Sequence, residues 1–209
     1  VVVAILAILA ALLMPGLKSA RDSAKAANCA SNLKQIGLGA HLYANENGEW
    51  LPYHSWSSSI RWWNKIGPYA GAKKYGPTVY TGTEAGLVLA DSLVWSCPST
   101  RNNLWLGYGW NYHGIGSSPS DPNDFGPTRV GGTKAGCFMV ADTAYAQSPG
   151  AVPYTAYDTM ATPTGLAAAL QPRVHSGGLN VLFVDGHVQR LATSDFLKNP
   201  DPRWGFFNE

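Results

Sequence analysis

Hydrophobic positions run without a break at the start of the chain: residues 1–17, VVVAILAILAALLMPGL, contain no charged and no polar side chain. As a helix this run spans roughly 25 Å, against a bilayer hydrocarbon core of roughly 30 Å. It therefore reads as a short span or, because no Met or basic flank precedes Val1, as the distal part of a longer one. A secretory leader would be followed by a small-residue cleavage site and a fresh domain start, whereas here the helical pattern continues. Lys18, Arg21, Asp22 and Lys25 give way to Leu33, Ile36, Ala40 and Tyr43 at spacings of three and four, which predicts an amphipathic helix up to a stop signal at residues 45–48. A helix over 1–44 is about 66 Å long, while a compact chain of this length has a radius of gyration near ~17 Å. Its N-terminal half must protrude, and Pro15 with Gly16 predicts a kink or a locally unwound stretch there.

Beyond residue 48 the pattern shortens and alternates. A short helix is expected through Ile60, Trp63 and Ile66, capped by Ser58 and Ser59 and ended by Gly67-Pro68. Strands are expected over 93–97, 107–112, 137–141 and 180–184, with 187–191 folding back on the last across Asp185-Gly186, the strongest short hairpin signal. Long Gly-, Pro- and Ser-rich connections, 114–132 and 144–172, are expected on the outside of any assembly. Two regions result: residues 1–48, a hydrophobic and amphipathic helix, and residues 49–209, a β-rich globular domain.

Composition narrows the function. Only 13% of the 209 residues are charged and the net charge is +2, which argues against a disordered acidic chain and a basic nucleic-acid binder. With 23 Gly, 14 Pro and 8 Trp, an all-helical bundle is not expected. The protruding helix needs a non-aqueous partner, lipid or copies of itself. Ala4, Ala7 and Ala11 form a stripe of small residues that lets helix backbones approach, while Ile5, Leu9, Leu12 and Leu13 supply bulk between them. One feature pulls against an exported globular part: the basic excess after the apolar run points, by the positive-inside rule, to the cytoplasmic side.

The apolar run followed by NCASNLKQIGLGAHLYANENGEWLP resembles the N-terminal region of type IV pilins and type II secretion pseudopilins, and more narrowly of pseudopilin-like bacterial proteins with a prepilin-type cleavage and methylation segment. VHSGGLNVLFVDGHVQRL is similar to the same group's C-terminal signature of a His, nine residues and Asp-Gly, here His175, Asp185 and Gly186. The resemblance implies an α+β, type IV pilin-like fold, in which a long protruding N-terminal helix packs on an antiparallel sheet domain with long loops. It also implies that the helix from Val1 to Leu13, with the Pro15 kink, sits in the inner membrane before assembly and in a filament core afterwards. Members begin with a phenylalanine or similar residue and carry a glutamate a few positions later. Alignment on Pro15 places about seven such residues before Val1, so neither role is assigned here. The expected partners are copies of the chain, the inner membrane and the assembly machinery, with no nucleic acid. The expected location is the inner membrane and then an extracellular filament or periplasmic pseudopilus.

Other chemistry is weaker. His175, Asp185 and His187, with Asp142, are of a type to hold zinc or act as acid and base. Asp185 is however already explained by its turn, and His175 would lie up to ~33 Å away if the chain were extended. No HExxH, GxSxG, Walker or dinucleotide motif is present, so no catalytic residue and no enzyme is expected. Asp121, Asn123 and Asp124 offer oxygen ligands for calcium, and some major pseudopilins bind calcium in a surface loop, but the spacing is not that of an EF-hand and turn formation explains the residues. No other cofactor is expected. The 3 cysteines allow one disulfide or none. Cys97 and Cys137 both fall in expected strands while Cys29 falls on the long helix, which favours Cys97 with Cys137 in an oxidising compartment. Zinc through the cysteines is not expected, since none is paired at a two-residue spacing, and the lack of CxxCH excludes covalent c-type haem. Trp56, Trp62, Trp63, Trp105, Trp110, Tyr108 and Tyr112 read as core rings in preference to a sugar-stacking or subunit face.

Overall fold

A computed structural model describes residues 2–53, 62–71, 93–95, 97–99, 107–111, 115, 128–133, 136–142, 175 and 178–192. Helix α1 covers Val2–Glu46 without interruption. Of the kink or unwound stretch expected at Pro15, the unwound stretch is absent: Pro15 lies inside the continuous helix, where a single missing N–H leaves the ladder on either side intact. The helix ends where the sequence signals it. Gly48 takes φ 65°, and the Glu49 N–H donates back to Ala44 O at 2.7 Å, a six-to-one closure typical of glycine-terminated helices. The Asn47 side chain caps Tyr43 O at 2.8 Å.

Among the described residues the sheet has four strands in the order β1 (Tyr108–Trp110), β2 (Phe138–Asp142), β3 (Gly178–Phe183) and β4 (Val188–Ala192), every neighbouring pair antiparallel. These are four of the five expected strands. The fifth fails: residues Leu93–Trp95 form a 3-10 turn, not the start of a strand over 93–97. The short apolar run LVW satisfies burial in either conformation, so its hydrophobicity did not decide between them. The β3–β4 hairpin turns through Asp185-Gly186 as expected. Gly186 has φ 87°, its N–H donates to Phe183 O at 3.0 Å, and the Asp185 carboxylate accepts the His187 N–H at 3.0 Å. Of the expected short helix, α2 (Trp62–Ile66) is described and ends on Gly67, whose N–H donates to Trp63 O at 2.9 Å. Ser58 and Ser59 lie outside the described residues.

The C-terminal half of α1 packs across the sheet. Its buried residues Ala26, Cys29, Leu33, Ile36, Gly37, Ala40 and Ala44 recur at helical spacing, and their small members let the strands come close. At Gly37 a Cβ would stand 2.9 Å from Leu182 Cδ1. Asn180 and Leu182 of β3, with Val184 just beyond its end, share this face, the Asn180 amide donating to Ala26 O at 3.0 Å. The opposite face, Leu179, Val181 and Phe183 with Phe138 and Ala141, is buried as a second cluster. Trp62 is fully buried in the main core, stacked on Trp110 at 5.0 Å and in contact with Trp63 and Trp95. Trp62, Trp63, Trp95, Trp110 and Tyr108 are all buried, as core rings should be. Trp56, Trp105 and Tyr112 lie outside the described residues.

Candidate functional site: an uncovered helix and a buried cysteine–histidine–aspartate cluster

The first candidate is the N-terminal half of α1. Every residue from Val2 to Arg21 is exposed, including Val3 (79%), Leu12 (71%) and Leu17 (72%). The helix is long and apolar enough to cross a membrane, and none of its most apolar stretch is buried within the molecule. Ten large apolar side chains between Val2 and Leu17 face outward. At ~1.5 kcal/mol or more each, leaving them in water costs about 15 kcal/mol, as much as the whole stability of a very stable domain. An environment other than water must therefore take them up. Ala4, Ile5, Ala7, Leu9, Ala11, Leu12, Leu13 and Pro15 all belong to this uncovered segment, and Val1 lies outside the described residues.

The second candidate forms where α1, the segment after the 3-10 turn, the end of β2 and His175, three residues before β3, converge. Cys29 and Cys97 are joined by a disulfide with Cα atoms 5.2 Å apart. This corrects the expected Cys97–Cys137 pair. Cys29 lies one helical turn before Leu33 on the buried face of α1, and that face brings it to Cys97. Cys137 keeps its thiol at the head of β2, where burial raises its pKa to about 11. Against the disulfide lies His175, 1% exposed, with Nε2 3.5 Å from Cys97 Sγ and 3.1 Å from Asp142 Oδ2. Asp142 Oδ2 also accepts the Asn180 N–H at 2.9 Å. No donor among the described residues reaches Asp142 Oδ1, although the residue is fully buried. His175 Nδ1 meets Ser99 Oγ at 3.2 Å, and the Arg190 guanidinium donates to His175 O at 2.7 Å.

The expected group of His175, Asp185, His187 and Asp142 thus splits in two. His175 and Asp142 meet in the core. Asp185 and His187 pair with each other on the exposed hairpin turn, where the His187 ring stacks on Phe183 at 4.3 Å. Burial pushes the Asp185 carboxyl up, but hydrogen bonds from His187 and its charge outweigh this and leave it below its usual range. Asp121, Asn123 and Asp124 lie outside the described residues. The residues that sequence reasoning missed are Cys29, Ser99 and Asn180. Only Cys29 carried a signal, its register with Leu33, Ile36 and Ala40.

A long amphipathic helix laid over an antiparallel sheet, with its apolar N-terminal half projecting uncovered, defines a pilin-like architecture. The family model described as "Protein of unknown function (DUF1559)" matches residues 18–168. The chain belongs to this family, which groups type IV pilin- and pseudopilin-like proteins. No curated protein and no solved structure matches the chain.

Proposed function

We propose that the protein is a non-enzymatic structural subunit of a type IV pilus-like filament, held in the inner membrane by its N-terminal helix before assembly and exposed outside the cell afterwards. The observation that carries this reading is the complete exposure of the apolar half of α1 in a helix whose other half buries residues against the sheet. One such helix suits two environments in turn, lipid and a bundle of identical helices. The Ala4, Ala7 and Ala11 stripe favours close backbone approach in both. A head-to-tail contact that does not close on itself generates a filament, and burial of the ten large side chains drives it once lipid is left behind. Its partners are copies of itself, the membrane and the machinery that extracts subunits from it. The Cys29–Cys97 disulfide supports an oxidising compartment for the globular domain, against the basic flank of the apolar run. In this reading the His-x9-Asp-Gly segment is architectural: His175 abuts the disulfide and Gly186 makes the turn that joins β3 to β4.

Sedimentation of sheared cell-surface material without detergent tests the proposal. The filament reading expects the protein in the pellet, in elongated particles under negative stain. Recovery only in membranes would contradict it and leave an anchored domain or a short secretion pseudopilus.

A further inference from the structure

We infer that, when the Cys29–Cys97 disulfide is reduced, Cys29, Cys97, His175 and Asp142 form a buried site for one thiophilic divalent ion of the zinc class. Their ligand atoms, two sulfurs, an imidazole nitrogen and a carboxylate oxygen, all lie within 4.8 Å of one another, and all four residues are buried. In a tetrahedral zinc site bond lengths of about 2.0 to 2.3 Å place ligand atoms some 3.3 to 3.8 Å apart. His175 Nε2 stands 3.1 Å from Asp142 Oδ2 and 3.5 Å from Cys97 Sγ, close to that spacing already, and the two sulfurs move apart to it once their bond is broken. An S2NO set is soft enough to select zinc over magnesium or calcium.

Three further observations point to a ligand. Asp142 Oδ1 is a fully buried carboxylate oxygen that no donor among the described residues reaches, so the buried carboxylate is under-compensated, a cost that a cation beside the group relieves through its charge. The outer contacts of a metal site are also in place. Ser99 Oγ sits 3.2 Å from His175 Nδ1 and can accept its proton once Nε2 turns to a metal, while the Asn180 N–H fixes the Asp142 carboxylate. Two thiolates, one carboxylate and a divalent ion leave one net negative charge, and the Arg190 guanidinium bound to His175 O is placed to offset it.

The chemistry balances with a phosphine as reductant. The S–S bond breaks, the phosphine takes oxygen from water to become its oxide, and two thiols result. The ion then forms two S–metal bonds and displaces two protons to solvent. Metal and disulfide are thus alternative staples for the same convergence of α1, the 97–99 segment, β2 and the start of β3. The ion holds the sheet to the helix in chains that have not yet been oxidised. Cys137 takes no part.

Cobalt(II) titration of the full chain in detergent micelles, after anaerobic phosphine reduction, tests this. The expected result is one equivalent bound with the intense visible bands of tetrahedral thiolate coordination. Zinc displaces the cobalt, about two protons are released per ion, and the oxidised protein gives no such bands. Cys137→Ala keeps the spectrum. Asp142→Asn, nearly isosteric, weakens binding at least tenfold, and Cys29→Ala abolishes the two-thiolate bands. If reduction loosens the sheet, added zinc should restore the native tryptophan emission in the wild type and not in Asp142→Asn. Absence of tetrahedral bands from a reduced chain with three titratable thiols would overturn the proposal. So would bands of equal strength and affinity in Asp142→Asn and His175→Ala, which would mean that the thiolates bind without the folded site.

Discussion

Replacing both disulfide cysteines, Cys29→Ala with Cys97→Ala, removes a covalent link between the long helix and the segment leading into β1. The link joins residues 68 apart in sequence, and on the chain-entropy account a loop of that size contributes about 4 kcal/mol at 25 °C. Both sulfurs lie in the fully buried core, so lost packing adds to the effect. For a chain of this size each kcal/mol moves the melting temperature by ~2 to 4 °C, giving a drop of roughly 10 to 15 °C. The assay is thermal unfolding of the full chain in micelles followed by tryptophan emission, because Trp62, Trp95 and Trp110 are buried in the same core cluster as both sulfurs and the long helix would mask the transition in far-UV dichroism. Cys137→Ala, which removes one buried sulfur and no cross-link, should cost only about 1 kcal/mol. A shift below about 3 °C for the double variant would refute the reasoning, as would a larger shift for Cys137→Ala than for the pair. Non-reducing peptide mapping must find Cys29 joined to Cys97, with Cys137 alkylated only after denaturation.

Further outcomes follow from the same geometry. Leu9→Asp places a charge on the uncovered helix and should abolish assembly while leaving the melting temperature of the globular domain within about 1 °C, since Leu9 touches none of it; an unimpaired filament, seen by negative stain, would contradict the helix-core reading. Gly178→Ala should destabilise by about 1 to 3 kcal/mol in denaturant titration, and more than Gly37→Ala. Both new Cβ atoms would meet an atom at 2.9 Å, but at Gly178 it is the Leu191 backbone carbonyl and at Gly37 the movable end of Leu182. Burial lowers the Lys65 pKa to about 7, and no hydrogen-bond acceptor among the described residues meets its Nζ, which sits 2.8 Å from the centre of the Tyr53 ring. A folded pKa below the unfolded value of about 10.4 means that the folded state releases a proton. The penalty is therefore full below pH 7 and fades as pH rises toward 10.4. Lys65→Met should raise the melting temperature most at pH 6 and progressively less at pH 8 and 9.

The helix, its protrusion and its stop were legible because each rests on a local pattern: an uncharged run, a three-and-four repeat and a glycine that tolerates positive φ. The β3–β4 hairpin was legible for the same reason, in Asp185-Gly186. The disulfide was not. Cysteine pairing depends on which surfaces meet, and treating the strands as the only meeting place overlooked that α1 packs its Cys29 face onto the same core. The His175 region was half legible. His175 and Asp142 were among the expected residues, but proximity in sequence tied His175 to Asp185, which the hairpin carries to the surface while His175 stays buried. Residues 93–97 show the limit of short apolar runs, which bury equally well as a strand or as a tight turn.

Electron cryomicroscopy of filaments sheared from cells and kept free of detergent, with the density traced against this sequence, tests the central claim most directly. The account predicts a central bundle in which the apolar half of α1, with Ala4, Ala7 and Ala11 at the closest helix contacts, packs against copies of itself, surrounded by globular domains carrying the four-stranded sheet. Filaments whose core is built from another chain, or a protein found only as isolated subunits in membranes, would contradict it.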